Sequence, residues 1–257
     1  MKIGSKVFEN YTYIMAIINL TPDSFFAPSR KSEYTVLKAV EGAVKDGAAV
    51  IDLGAQSTRP GYSEITADEE LFRLIRPLEE IKKNFDIPIS VDTYFSKCAN
   101  EALSAGADMI NDIWGLTHDK DMAEIIAKHN SSVCIMHNSE CGLSGDIFPP
   151  ITEFLKDGVA KAISSGIAKD KICVDGGIGF AKNTRQNFEL LENYERLDFG
   201  YPLLIGTSRK SMFGGEVEGR LEATLQSTRL AAKKKILFVR VHDIKENAQV
   251  IEEVYGN

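Results

Sequence analysis

A chain of 257 residues that is 44% hydrophobic has the length for one large domain or two small ones, and enough apolar content to bury a sizeable core. Its net charge of −7 and isoelectric point near 5.3 exclude general nucleic-acid or anionic-membrane binding, which need a basic footprint, so an anionic ligand must be met by locally gathered bases. No run is apolar for long enough to span a bilayer, and Lys2, Ser5, Lys6, Glu9 and Asn10 interrupt the place of a signal peptide's apolar region, so the expected location is cytoplasmic.

Residues 1–12 are read as a short lead-in. Eight apolar, β-rich runs follow: Tyr13–Leu20, Ala49–Gly54, Ile89–Thr93, Met109–Ile113, Val133–His137, Ile172–Asp175, Leu203–Thr207 and Leu237–His242. Segments of helical period lie between them. Val36, Val40 and Val44 follow the first strand on one face. After the second, Thr66 to Glu69 has the spacing of a capping box and opens a helix with Leu71, Leu74 and Ile75. The later helices carry Ala99, Leu103 and Ala107; Met122, Ile125 and Ile126; Phe154, Leu155 and Val159; Phe188, Leu190 and Leu191; Leu221, Leu225 and Leu230; and Ala248, Ile251 and Val254. Eightfold strand–helix alternation in a chain of this length predicts an α/β fold, a single (β/α)8 TIM barrel domain over 1–257. A doubly wound open sheet is the alternative, and it needs fewer strands or extra connections. No linker, repeat or low-complexity tract divides the chain.

A barrel places chemistry at the C-terminal ends of its strands. Those ends carry Asn19, Asp52, Asp92, Asn111, Asp112, His137, Asp175, Ser208-Arg209-Lys210, Arg240 and His242. The run Ile172–Lys182 shows the pattern best: a short strand reaches Asp175 and breaks into Gly176, Gly177 and Gly179, so backbone can approach a ligand closely. By the period of two, Arg240 and His242 share a face. An arginine fork with a second donor suits a phosphate or diphosphate, while the plainer reading pairs Arg240 with a barrel acid and packs His242. Asp52 and Asp112 are expected to orient neighbours or satisfy loop N–H groups. His137 is expected to be structural, His118 and His129 to face solvent, Lys233-Lys234-Lys235 to form a solvated helix end, and Trp114 either to border the site or to pack. Cys134 and Cys173 read as core residues; Cys134 and His137 have a metal-like spacing, but no second pair completes a zinc site.

Taken in order, Asn19-Leu-Thr-Pro-Asp-Ser-Phe25, Ser57-Thr-Arg-Pro-Gly61, Val91-Asp-Thr93, Ile110-Asn-Asp112, Met136-His137, Asp175 through Lys182, Ser208-Arg-Lys-Ser211 and Arg240-Val-His-Asp243 resemble dihydropteroate synthases, the sulfonamide targets of folate biosynthesis. The resemblance runs from about Tyr13 to Val254. It implies a (β/α)8 barrel that joins 6-hydroxymethyl-7,8-dihydropterin diphosphate to p-aminobenzoate and releases pyrophosphate. Residue by residue, it implies that Asp175 binds the pterin 2-amino group and N3–H, that Asp92 and Asn111 meet further ring nitrogens, and that Lys210 donates to the carbonyl or a ring nitrogen. Met136 and Phe180 would line the pocket, with Arg240 over the ring face. Asn19, Arg59, Arg240 and His242 would hold the diphosphate, and Asn19 would be the oxygen ligand of Mg2+. Phe25, Thr58, Pro60 and Lys210 would contact p-aminobenzoate, with its carboxylate at Ser211 on a helix start. A homodimer is implied as well.

The sequence departs from the family pattern in places. Phe26, Ala27, Pro28 and Ser29 stand where Ser-Asp-Gly-Gly is usual, so the loop acid is missing. Gly54-Ala55-Gln56 replaces Gly-Gly-Glu, Asp175-Gly176-Gly177 replaces Asp-Pro-Gly, and Asn138 follows Met136-His137 without the usual longer motif. These changes gather around p-aminobenzoate and leave the pterin and diphosphate groups intact. They motivate one alternative, a non-catalytic barrel that binds pterin diphosphate. A methyltetrahydrofolate–corrinoid methyltransferase is another, but it has no use for the Arg240/His242 pair.

Overall fold

The computed structural model describes residues 1–20, 30–56 and 65–256, leaving out the side chains of 30–33 and 218. A two-residue ladder, β1 (Lys2–Ile3) with β2 (Lys6–Val7), precedes eight parallel strands: β3 (Tyr13–Asn19), β4 (Ala48–Gly54), β5 (Ile89–Asp92), β6 (Met109–Asp112), β7 (Ser132–Met136), β8 (Ile172–Asp175), β9 (Leu203–Ile205) and β10 (Phe238–Val241). Strands β3 to β10 close into a barrel in chain order, with β10 pairing β3. The helices are α1 (Arg30–Lys45), α2 (Ala67–Asn84), α3 (Ser96–Ser104), α4 (Met122–Lys128), α5 (Phe148–Ser164), α6 (Thr184–Glu192), α7 (Leu221–Lys233) and α8 (Ile244–Tyr255). All eight strand readings fall on a barrel strand, which makes the fold a (β/α)8 barrel.

Alternation along the strands builds two layers. Outward residues such as Ala16, Ile51, Val91, Ile110, Ile135, Val174, Ile205 and Val239 pack under the helices in one large apolar cluster. Inward residues Met15, Val50, Met109, Cys134, Cys173, Leu204 and Phe238 fill the barrel. Ile3 and Phe8 of the lead-in belong to this second cluster, and Phe8 meets Tyr13 and Phe238 edge-on at 5.0 and 5.2 Å. The lead-in thus packs against the barrel's interior filling at its N-terminal end, and the polar inward residues lie toward the C-terminal end.

Several helical expectations need correction. Val44 is exposed, and Ala43 is buried with Val36 and Val40, because 3.6 residues per turn rotate position 44 off the face. Phe188 is exposed and meets Phe213, while Leu190 and Leu191 face inward. Helix α7 buries Thr224, Ser227, Thr228, Ala231 and Ala232, whereas Leu221, Leu225 and Leu230 are only half-buried. Small side chains are preferred there, and the polar ones are satisfied: Thr207 bonds Ser227 at 2.5 Å and Thr228 donates to Asn247 at 2.6 Å. The capping box at Thr66 is half-formed: its hydroxyl accepts from the Glu69 N–H at 3.2 Å, but the Glu69 carboxylate pairs with Arg73 instead of returning to the cap. Lys234 is half-buried against Glu195, and His129 bonds Asn100 at 3.1 Å, so neither is simply solvated.

Candidate active site at the barrel mouth

The rim of the barrel is assembled by strand register. Asn19 pairs in register with Gly54, Gly54 with Asp92 and Asp92 with Asn111; farther round, Met136 pairs with Asp175. All these positions share the inward phase of their strands, as does Arg240, two residues beyond the interior Phe238.

Arg240 lies across the mouth. Its Nε donates to Asp52 Oδ2 and an NH2 to Asp92 Oδ2, both at 2.6 Å. The plainer reading, pairing with barrel acids, is therefore present, and Asp52 orients a neighbour as anticipated. Burial, with Asp52 and Asp112 nearby, pushes the Asp92 carboxyl up, to about 7, against the pull of Arg240. Beside Arg240, His242 Nδ1 meets Ser208 Oγ at 2.9 Å, and its Nε2 lies 3.5 Å from Asn19 Nδ2. Asn19 Oδ1 lies over Gly54, 3.6 Å from where a Cβ would be, an ordinary contact distance.

On the far side, Asp175 is buried at 6% exposure. Its Oδ1 accepts from the Gly177 N–H at 2.7 Å and the Tyr194 hydroxyl at 2.9 Å, which leaves Oδ2 without a partner among the described residues. Burial raises its pKa, and Lys210, those donors and Lys182 oppose the rise. Gly176 explains one departure from the usual pattern. Its N–H donates to Tyr194 Oη at 2.7 Å, which proline cannot do, and a Cβ there would come within 2.6 Å of Leu197. Asn111 is buried at the rim, and Met136 forms a small apolar wall with Tyr94, Ile113, Phe95, Trp114 and Phe180. Trp114 therefore packs within that wall.

The loop after β8 is held by two lysines. Lys182 Nζ donates to the carbonyls of Gly177 and Phe180 at 3.0 Å and to His137 Nδ1 at 2.9 Å. Burial and Lys182 push His137 down to about 3, so it stays neutral and structural, as expected. Lys210 donates to the Ile178 carbonyl and lies 4.8 Å from the Phe180 ring centroid; burial lowers its pKa to about 8. Gly177, at φ +69, could not carry a Cβ, which would fall 1.9 Å from the His137 carbonyl oxygen. Asp112 builds the neighbouring loop by accepting from the N–H groups of Trp114 and Leu116, each at 2.8 Å.

Ser211 needs a correction. It is exposed and opens a three-residue 3-10 turn, Ser211–Phe213, not an α-helix. Gly214 and Gly215, at φ +70 and +61, end the turn, and α7 begins only at Leu221. Phe25, Thr58, Arg59, Pro60 and Ala27 lie outside the described residues. Gln56, at the edge of that region, donates to Tyr94 Oη at 3.0 Å. Sequence reasoning missed Tyr194 and Lys182 as site residues. Tyr194 sits beyond α6 in a 3-10 turn, far from any strand end, and nothing local marks it. Among the described residues no group of three or more His, Cys, Asp or Glu side chains could hold a metal; Cys134 points into the barrel and His137 to Lys182.

A closed parallel barrel, packed at one end and lined at the C-terminal rim by acids, amides and bases, has the layout of a barrel enzyme. Residues 15–242 match the pterin binding enzyme family. Over 258 residues the chain is 44% identical to a dihydropteroate synthase from Clostridium beijerinckii, covering 97% of this chain and 96% of that one, and it belongs to the dihydropteroate synthase family. Among solved structures, the dihydropteroate synthase from Clostridium difficile in the presence of pteroic acid superimposes with a TM-score of 0.93 at 42% identity, covering 97% of each chain. That from Xanthomonas albilineans with 4-aminobenzoic acid gives 0.90 at 30% identity, covering 96% of this chain and 93% of that one.

Proposed function

We propose that this single-barrel chain catalyses the condensation of 6-hydroxymethyl-7,8-dihydropterin diphosphate with p-aminobenzoate, giving 7,8-dihydropteroate and pyrophosphate. The observation that carries this reading is the convergence of Asp175, Asn111, Arg240, Lys210, His242 and Asn19 on one rim of the barrel. The donor edge of a pterin, its 2-amino group and N3–H, asks for a carboxylate, and Asp175 Oδ2 is the oxygen left open for it. Asn111 offers an amide to the ring nitrogens and Met136 and Phe180 an apolar wall. Arg240, held by two acids, presents its ring-stacking face as a rigid group.

An arylamine is a weak nucleophile, so positioning and electrostatics must supply the rate. The methylene C–O bond breaks, and the electron pair leaves with pyrophosphate. The amine nitrogen bonds to the methylene carbon and gives up a proton. Arg240 and His242, with Arg59, would stabilise the leaving diphosphate, and Lys210 would hold the pterin. Phe25, Thr58 and Pro60 remain proposed contacts for p-aminobenzoate, with Ser211 for its carboxylate. The residues fit Mg2+ carried on the substrate: both Asp52 and Asp92 are paired with Arg240, while Asn19 would offer one carbonyl oxygen. Bound there, the ion would neutralise charge on diphosphate oxygens. Homodimerisation through the outer helices belongs to the same proposal.

Calorimetry with the dihydropterin diphosphate and Mg2+ tests the site. The intact protein should bind, and Arg240→Ala should abolish binding; undiminished affinity in the variant would sink the assignment.

A further inference from the structure

Asp175 ends a strand at a glycine pair, and a carboxylate at such a place has two oxygens and several rotamers to offer. One oxygen is already occupied by two donors, one local and one remote. The local donor is the Gly177 N–H. The remote donor is Tyr194 Oη, at 2.9 Å, from a turn that begins 19 residues later. Tyr194 is 1% exposed and packs in the layer between barrel and helices, so its ring is fixed by the core and its hydroxyl cannot wander.

The hydroxyl has three neighbours and one proton. It accepts from the Gly176 N–H at 2.7 Å, and it faces two acceptors, Asp175 Oδ1 at 2.9 Å and the Leu204 carbonyl at 2.7 Å. A charged carboxylate is the stronger acceptor, so the proton goes to Asp175 when Asp175 is ionised and can turn to Leu204 when it is not. The Gly176 N–H polarises the hydroxyl in the direction that strengthens its donation. The second carboxylate oxygen is thereby left without a hydrogen-bond partner among the described residues.

We propose that Tyr194 is a positioning residue for substrate recognition: with Gly176 as its donor, it fixes the rotamer and favours the charged form of Asp175, and so sets affinity for the pterin without touching it. The inference rests on the reading of Asp175 as the pterin-binding acid. The other groups that face Asp175 are Lys210, Lys182, Arg240, Cys134 and the Gly177 N–H, and a change at position 194 replaces none of them. The proposal therefore predicts a change confined to one substrate and to the acid side of its pH profile.

The test compares the intact protein with Tyr194→Phe, which removes one oxygen, and with 3-fluorotyrosine placed at position 194, whose hydroxyl is a stronger donor. Affinity for the dihydropterin diphosphate is measured from pH 4 to 8, with KM for p-aminobenzoate, kcat at saturation and Tm alongside. Tyr194→Phe should weaken pterin binding by about tenfold and move the acid limb to higher pH, because the carboxylate loses a donor. KM for p-aminobenzoate should stay within twofold. The fluorotyrosine protein should move the limb the other way at unchanged Tm. Equal pterin affinity and an unmoved acid limb in both altered proteins would overturn the inference, as would a uniform loss in all parameters that tracks Tm. An intact protein that bound no pterin diphosphate would overturn the underlying reading itself, a separate result visible before any variant is compared.

Discussion

Two side chains carry most of the meaning at the mouth, and both are charged groups buried with partners. Arg240 is shared between Asp52 and Asp92, and Asp175 is surrounded by donors and two lysines. Polar residues at strand C-terminal ends mark a barrel mouth in the sequence, which is why Asn19, Asp92, Asn111, Asp175 and Arg240 could be nominated, with the period of two adding face for Asn111 and Arg240. For Arg240 the sequence offered a barrel acid but not which one, since Asp52–Arg240 spans 188 positions, and for Asp175 it did not offer Tyr194, which joins a helix-layer turn to a strand. Lys210 gives a prediction at this scale. Burial pulls its pKa down to about 8, with Asp175 and Asp92 opposing, so it is charged below that pH and loses its charge above it. Pterin diphosphate affinity should therefore fall as pH passes from 7.5 to 9. Lys182, lowered by burial to about 7, titrates earlier. Lys210→Arg, which keeps its charge, should flatten the upper limb; an unchanged limb would remove Lys210 from the site.

Among the elements, α2 shows how a helix can be placed by a residue that periodicity overlooks. Its inner face is Glu70, Leu74, Leu78 and Ile81, and Glu70 is 1% exposed with neither carboxyl oxygen in close hydrogen-bond geometry among the described residues. Burial pushes it up to about 7, although Thr93 and Cys98 favour its charged form. The folded pKa lies above the unfolded value, so its contribution is present at low pH and is lost as pH rises through about 7. Glu70→Gln should then raise stability by about 1–3 kcal/mol at pH 8 and by much less at pH 5, read from denaturant midpoints. An equal change at both pH values would mean the carboxyl is paired. The lead-in behaves differently. Residues 1–12 looked like a preface in the sequence, but Phe8 packs among the residues that fill the barrel. Phe8→Ala should cost about 3–5 kcal/mol of unfolding free energy, with kcat per folded molecule unchanged. A cost under 1 kcal/mol would show that the plug is dispensable.

For the molecule as a whole, the repeated strand–helix pattern and its polar strand ends were enough to foresee the barrel, since each strand had to bury both faces and each helix only one. The less legible parts are those where tertiary context decides: Val44 against Ala43, the small-residue face of α7, and the short turn at Ser211. The departure at Phe26–Ser29, with its missing loop acid, and the Ser57–Gly61 motif lie outside the described residues, so their chemistry is a matter for experiment. The rim from Asn19 to Arg240 is the surface proposed for a pterin and its diphosphate, and the central claim is that this surface turns over. The most direct measurement incubates the purified protein with 6-hydroxymethyl-7,8-dihydropterin diphosphate, p-aminobenzoate and Mg2+ and follows dihydropteroate and pyrophosphate together. Equal amounts of both products, formed catalytically, are predicted. Tight diphosphate binding with neither product would contradict the claim and make the chain a non-catalytic binder of the same ligand.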